Sequence, residues 1–153
     1  MILLADSRLT LDHVQDILTR LNVSTWIFAP SHLLEQSSRP TMLRAAFPES
    51  GMGFVYSWEL PSSNWLPEFA PSEVSSSATF RMVMAKYGTC VYEMHNFLQE
   101  LTNISDVDFS FSYEYDELWA YRDVAGLHFE QPFVEVLENF KENDSWKERG
   151  GPG

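Results

Sequence analysis

Two hydrophobic periods run through this chain, and the points where one gives way to the other mark its elements. Over 10–22, Leu11, Val14, Ile17, Leu18 and Leu21 recur at helical spacing. Thr10 can cap the first turn of that helix, and Asn22 can close it in a left-handed conformation. Val23 to Phe28 is β-branched and aromatic and stops at Pro30, which predicts a short buried strand. Ser31 to Gln36 has room for one further helical turn before the break at Arg39-Pro40. Thr41–Phe47 and Phe54–Leu60 predict a strand pair around the turn-rich stretch Pro48–Gly53, with Phe54, Tyr56, Trp58 and Leu60 on one face. From Pro61 to Ser77, proline and serine interrupt every period. Trp65, Leu66 and Phe69 persist there, so this irregular stretch either packs back onto the body or holds an interaction surface. Phe80 to Met84 fits either period.

Tyr87, Val91, Met94, Phe97, Leu98 and Leu101 predict a second helix that closes at Asn103. The strongest strand follows. Val107, Phe109, Phe111, Tyr113 and Tyr115 alternate with Asp106, Asp108, Ser110, Ser112, Glu114 and Asp116, which predicts one buried and one solvated face. Asp116-Glu117 reads as a turn into a strand from Leu118 to Val124, and Leu127–Phe129 continues the sheet. Pro132 opens a last helix with Phe133, Val136, Leu137 and Phe140 inward. Helices and strands do not alternate regularly, as a parallel sheet would require. The prediction is one α+β domain over 1–140, followed by a flexible polar tail over 141–153. Its antiparallel sheet has about five to six strands, with helices packed mainly on one face.

Composition narrows the function more than the fold. Hydrophobic residues make up 44% and aromatics 14%, which suits a packed domain and excludes a disordered chain. Against 22 acids stand 10 bases, a net charge of −12. Nucleic-acid binding needs clustered cations, and attraction to an anionic membrane needs them too, so neither is expected. No apolar run approaches the ~18 residues of a membrane span. With the single cysteine Cys90 no intrachain disulfide can form, and no positive charge precedes the short apolar run after Met1; both favour a cytoplasmic protein.

Motifs that carry chemistry are absent: there is no phosphate-binding glycine loop, no H-E-x-x-H, no C-x-x-C and no G-x-S-x-G. His13, His32, His95 and His128 are too far apart in sequence for the usual ligand spacing, and Cys90 reads as a small buried hydrophobe. No cofactor, metal or catalytic residue is expected, and the reading leans away from an enzyme.

The charge distribution is more informative than its sum. Residues 91–153 hold 14 acids and 4 bases, whereas 1–90 hold 8 and 6. Between Glu93 and Glu138 the only base is Arg122. A one-signed patch steers an oppositely charged partner, and Tyr and Trp anchor interfaces. Asp106, Asp108, Glu114, Asp116 and Glu117 therefore read as a docking face for a basic protein, with Trp119 and Tyr121 as anchors and Tyr113 in the core. In size, acidity, aromatic content and architecture the chain resembles the immunity proteins that neutralise toxins. That resemblance implies an inhibitor of a basic partner such as a nuclease toxin. The competing reading is a small-molecule-binding or enzymatic domain, with a pocket walled by Trp58 to Phe69 and served by Glu59, Glu68 or His95. Oligomeric state stays open, a homodimer being one form that would cover exposed rings.

Overall fold

A computed structural model describes residues 1–30, 40–58 and 66–148, with side chains to 139. The elements are β1 (Ile2–Ala5), α1 (Leu11–Arg20), β2 (Trp26–Ala29), β3 (Met42–Ala46), β4 (Gly53–Ser57), β5 (Ser76–Arg81), α2 (Tyr87–Ile104), β6 (Phe109–Tyr113), β7 (Glu117–Asp123), β8 (Gly126–Phe129) and α3 (Gln131–Glu148). A 3₁₀ turn over Met84–Lys86 leads into α2. The class is α+β with one antiparallel sheet, as the pattern predicts, but the sheet has eight strands, in the order β2-β3-β4-β5-β1-β6-β7-β8. The expected helical turn at Ser31–Gln36 and the residues Glu59 and Trp65 lie outside the described residues.

The pattern does not predict two of the strands: β5, on residues that it reads as irregular or leaves open between the two periods, and β1, at the centre. β1 pairs antiparallel with β5 on one side and β6 on the other, Leu3 facing Ala78 and Phe111. Leu3 and Leu4 point to opposite faces and are 0% and 3% exposed. A strand buried on both faces reads as a short apolar run without alternation, so periodicity cannot identify it.

All three helices contribute to one core on one face of the sheet. Val14, Ile17 and Leu18 of α1, Val91, Met94, Phe97 and Leu98 of α2, and Phe133 of α3 join Leu3, Leu43, Phe54, Tyr56, Phe80, Phe109 and Phe111. Phe54, Phe80, Phe97 and Phe111 are linked edge to face or tilted at centroid distances of 5.2–5.7 Å, arrangements that aromatic quadrupoles favour. Thr10 caps α1 as expected: its hydroxyl accepts from the His13 N–H, and His13 Nδ1 accepts from the Thr10 N–H, both at 3.3 Å. Asn22 follows the helix at φ 63, the left-handed position its sequence suggested. Cys90 is buried and exchanges weak hydrogen bonds with the Val83 backbone, so its reading as a core residue stands.

Two predicted ends move. β6 closes at Tyr113, because Glu114 and Tyr115 both adopt positive φ, 48 and 68, in a tight loop closed by the Asp116 N–H donating to the Tyr113 carbonyl at 2.9 Å. The last helix spans Gln131–Glu148, past the Phe140 at which its predicted inward stripe stops.

Because every pairing is antiparallel, strand directions alternate across the sheet. β3, β5 and β6 therefore end at the same edge at which β1 begins. That edge gathers the β3–β4 loop, the start of α2 and the β6–β7 hairpin loop; it is called the hairpin end below. The opposite end carries Asp6, Asp106, Asp108 and Asp123.

Candidate functional site

The acids of the predicted docking face divide between these two ends. Asp108 and Glu114 lie on either side of β6, about 20 Å apart by strand rise. Between them Ser110 and Ser112 are fully buried, and their hydroxyls have no hydrogen-bond partner among the described residues. The expectation of one continuous solvated acidic face is thus corrected. The strand crosses the middle of the sheet, where neighbouring Ile2, Leu4, Leu118 and Tyr121 flank the small serines.

At the far end the acids are taken up by two arginines and a histidine. Asp6 accepts from the Arg8 backbone N–H at 2.9 Å, from Arg8 Nε at 3.1 Å and Nη2 at 2.6 Å, and from the Asp108 backbone N–H at 3.2 Å. Burial pushes the Asp6 carboxyl up, but these hydrogen bonds and the Arg8 charge outweigh it and hold it below the usual aspartate value. Arg8 also reaches Asp108 at 3.1 Å. Arg122 approaches Asp106 at 3.6 Å and donates to the Val107 carbonyl at 2.9 Å, which ties the α2–β6 connection to β7. His128 pairs with Asp123 at 3.1 Å and stacks on Tyr121 at 4.6 Å. Tyr121, half-buried on the face away from the helices, is held by that stack.

The hairpin end is different. Glu114, Asp116 and Glu117 are all exposed around Tyr113, which is 44% exposed and so corrects its expected place in the core. Among the described residues, Glu114 and Asp116 enter no ion pair; the N-terminal ammonium is near enough to Glu114 to feel its charge. Glu117 accepts from the indole N–H of Trp119 at 2.7 Å. Trp119 itself is 5% exposed, with its ring 5.3 Å from Phe133, so it belongs to the core and offers no anchor to a partner. The reason is a bulge: β7 shifts register between Phe111 and Ser112 and carries Trp119 as an extra residue toward α3. Tyr87, at the start of α2, lies beside this loop. Burial raises its phenol, and the neighbouring Tyr113 and Glu117 raise it further.

Across the start of α2 from the hairpin lies a cavity of about 210 Å³ between the end of α1, the β3–β4 loop and α2. Two carboxylates line it, Glu49 and Glu93. Glu93 is 9% exposed, and its Oε1 is buried without a hydrogen-bond partner among the described residues. Burial raises this carboxyl most; Ser50 lowers it by hydrogen bonds, Glu49 raises it, and Lys86 lowers it. Lys86 Nζ donates to the Glu49 carbonyl at 2.9 Å.

The sequence reading missed Glu93, although a signal was present. Glu93 falls three residues after Cys90 and four before Phe97, on the stripe that α2 buries, where a carboxylate is out of place. Most of the expected pocket wall, 59–65, lies outside the described residues. Trp58 packs against Phe28 and Tyr56, and His95 lies over Phe129 and Phe133, so neither reaches the cavity. Among the described residues no group of three His, Cys, Asp or Glu side chains could hold a metal ion, and no helix is long and apolar enough to cross a membrane. Comparison with family models, with curated proteins and with solved structures finds no match for this chain.

Proposed function

We propose that this domain binds and neutralises a basic protein, such as a nuclease toxin, through its hairpin end. The observation that carries the reading is the grouping of Glu114, Asp116 and Glu117 around the exposed ring of Tyr113. Carboxylates that enter no ion pair among the described residues leave most of their field to a partner, and a half-exposed tyrosine offers contact area with a polar tip. The loop that presents them holds two non-glycine residues at positive φ, a conformation with a conformational cost. Asp106, Asp108 and Tyr121, at the other end, serve the fold in this reading. Arg8 and Arg122 take up charge there, and His128 holds Asp123 by a hydrogen bond.

The test is co-purification of the intact chain from its source cell, followed by kinetics with the recovered partner. Wild type recovers a basic protein whose association rate falls steeply with salt, and the variant E114Q/D116N/E117Q loses it while keeping its melting temperature. A partner that binds the triple variant equally well, or whose association ignores salt, would sink the reading.

A further inference from the structure

We propose that the cavity at Glu93 receives the guanidinium or ammonium head of an arginine or lysine side chain, supplied by the basic partner inferred above, on which this inference rests. Size is the first argument. About 210 Å³ is below the range of pockets that enclose drug-sized ligands, yet holds several waters or one long side chain. Shape of the lining is the second. Leu21, Phe47 and Pro48 supply apolar surface for an aliphatic stem, and the carboxylates of Glu49 and Glu93 supply acceptors for its head.

Electrostatics give the third argument. The C-terminal end of α1 contributes Arg20, Leu21 and Asn22 to the lining, and helix C-termini carry partial negative charge that favours cations. The resident cation does not cancel this. Arg20 is engaged with Asp16 at 3.3 Å and Glu100 at 3.4 Å, while Lys86 is engaged with the Glu49 carbonyl. The deciding observation is Glu93 Oε1. Ser50 serves the Glu93 carboxyl, but this oxygen is buried and has no donor among the described residues. A buried acceptor without a donor is costly, and a guanidinium or ammonium N–H supplies what is missing. The cavity and the acidic hairpin open at the same end of the sheet, on the two flanks of the start of α2. One partner can then meet both.

The probes are methylguanidinium chloride and the blocked amino acid N-acetyl-L-arginine N-methylamide, titrated into the ¹⁵N-labelled full chain. The expected result is saturable amide shifts confined to 20–22, 48–50 and 92–96, with the blocked arginine binding at least as tightly as methylguanidinium. Glu93→Gln, an isosteric change, weakens both roughly tenfold or more, and Glu49→Gln on the rim weakens them by a smaller factor. No saturable shift, or equal affinity in a folded Glu93→Gln protein, overturns the inference. So does binding of methylguanidinium with the blocked arginine excluded, which would assign the cavity to a free small cation. The variant E114Q/D116N/E117Q separates the two proposals, because it loses the partner but keeps the cavity. If wild type recruits its partner through the hairpin while the cavity ignores both probes, this inference alone fails. If the cavity binds arginine and the partner is indifferent to the hairpin, the function fails instead.

Discussion

The two ends of the sheet carry similar numbers of acids and use them in opposite ways. At the far end Asp6, Asp106 and Asp108 each meet an arginine within 4 Å, Asp123 meets the His128 ring at 3.1 Å, and Asp6 closes a backbone turn as well. At the hairpin end Glu114 and Asp116 stand in solvent, and Glu93 is buried with no salt bridge among the described residues. Net charge treats these groups alike, and geometry separates them. A carboxylate whose hydrogen bonds are filled by its own chain holds the fold together, whereas one left unfilled is available to something else.

Removing the most engaged acid should produce the largest effect. Asp6→Ala leaves the Asp108 and Arg8 backbone N–H groups without their acceptor and the Arg8 guanidinium with Asp108 alone, and is expected to cost about 2–3 kcal/mol, read as a lower urea midpoint at unchanged slope. The pH dependence follows from the sign of the shift. The Asp6 carboxyl is held below its ordinary value of 3.8, so its contribution is present above that value and lost as pH falls through the lowered one. Asp6→Asn should therefore flatten the acid limb of the stability profile. If Asp6→Ala costs no more than an exposed surface change, the far end has no structural role and the contrast collapses.

Charge reversal at the other end tests the complementary claim. Glu114→Lys with Asp116→Lys should slow association with the basic partner about tenfold or more at low salt, and change the folding midpoint little. Reversal of Asp106, 92% exposed at its side chain yet at the far end, should slow association less. Equal effects from both ends would mean that the whole acidic surface steers the partner and that the hairpin has no special place.

The contrast also explains what could be read from sequence. Helices α1 and α2 and strand β4 were legible because each has a buried side and a more accessible one, and β6 because small serines alternate with aromatic rings although both of its sides are buried. β1 was not, since it is buried on both faces. The acidic strand was read correctly as a strand and incorrectly as a uniform face. Alternation tells which side a residue points to, but not whether that side lies at the rim of a sheet or in its middle. Ser110 and Ser112 share the parity of Asp108 and are wholly buried. Tyr113 and Trp119 exchanged expected places for a related reason: a turn at positive φ ends β6 early, and a bulge sends the indole inward. Cations drawn from distant sequence, Arg8 for Asp108 above all, leave no local trace.

Glu93 gives a smaller effect of opposite sign to Asp6. Its carboxyl is raised above the ordinary value of 4.5, chiefly by burial, so its favourable contribution is full below that value and lost as pH rises through the raised one. Glu93→Gln should then stabilise the unliganded domain near neutral pH by about 1 kcal/mol, with the gain vanishing in acid. Thermal melts of the two proteins across pH 4 to 8 measure this, and a Glu93→Gln protein less stable at pH 7 would show that the carboxylate already has its partner.

The smallest effect concerns the loop that holds the hairpin acids. Glu114 sits at φ 48, where a side chain costs about 1–2 kcal/mol relative to the right-handed region. Glycine removes that cost but loses about 0.4–1 kcal/mol through its freer unfolded chain. Glu114→Gly should therefore stabilise by about 0.5 kcal/mol, while the same change at Asp116, which has no positive φ, should destabilise. The two substitutions remove the same charge from the same loop. If they shift the melting temperature in the same direction, loss of charge repulsion governs the hairpin's stability; opposite shifts mean that its backbone is held under strain to present the acids outward.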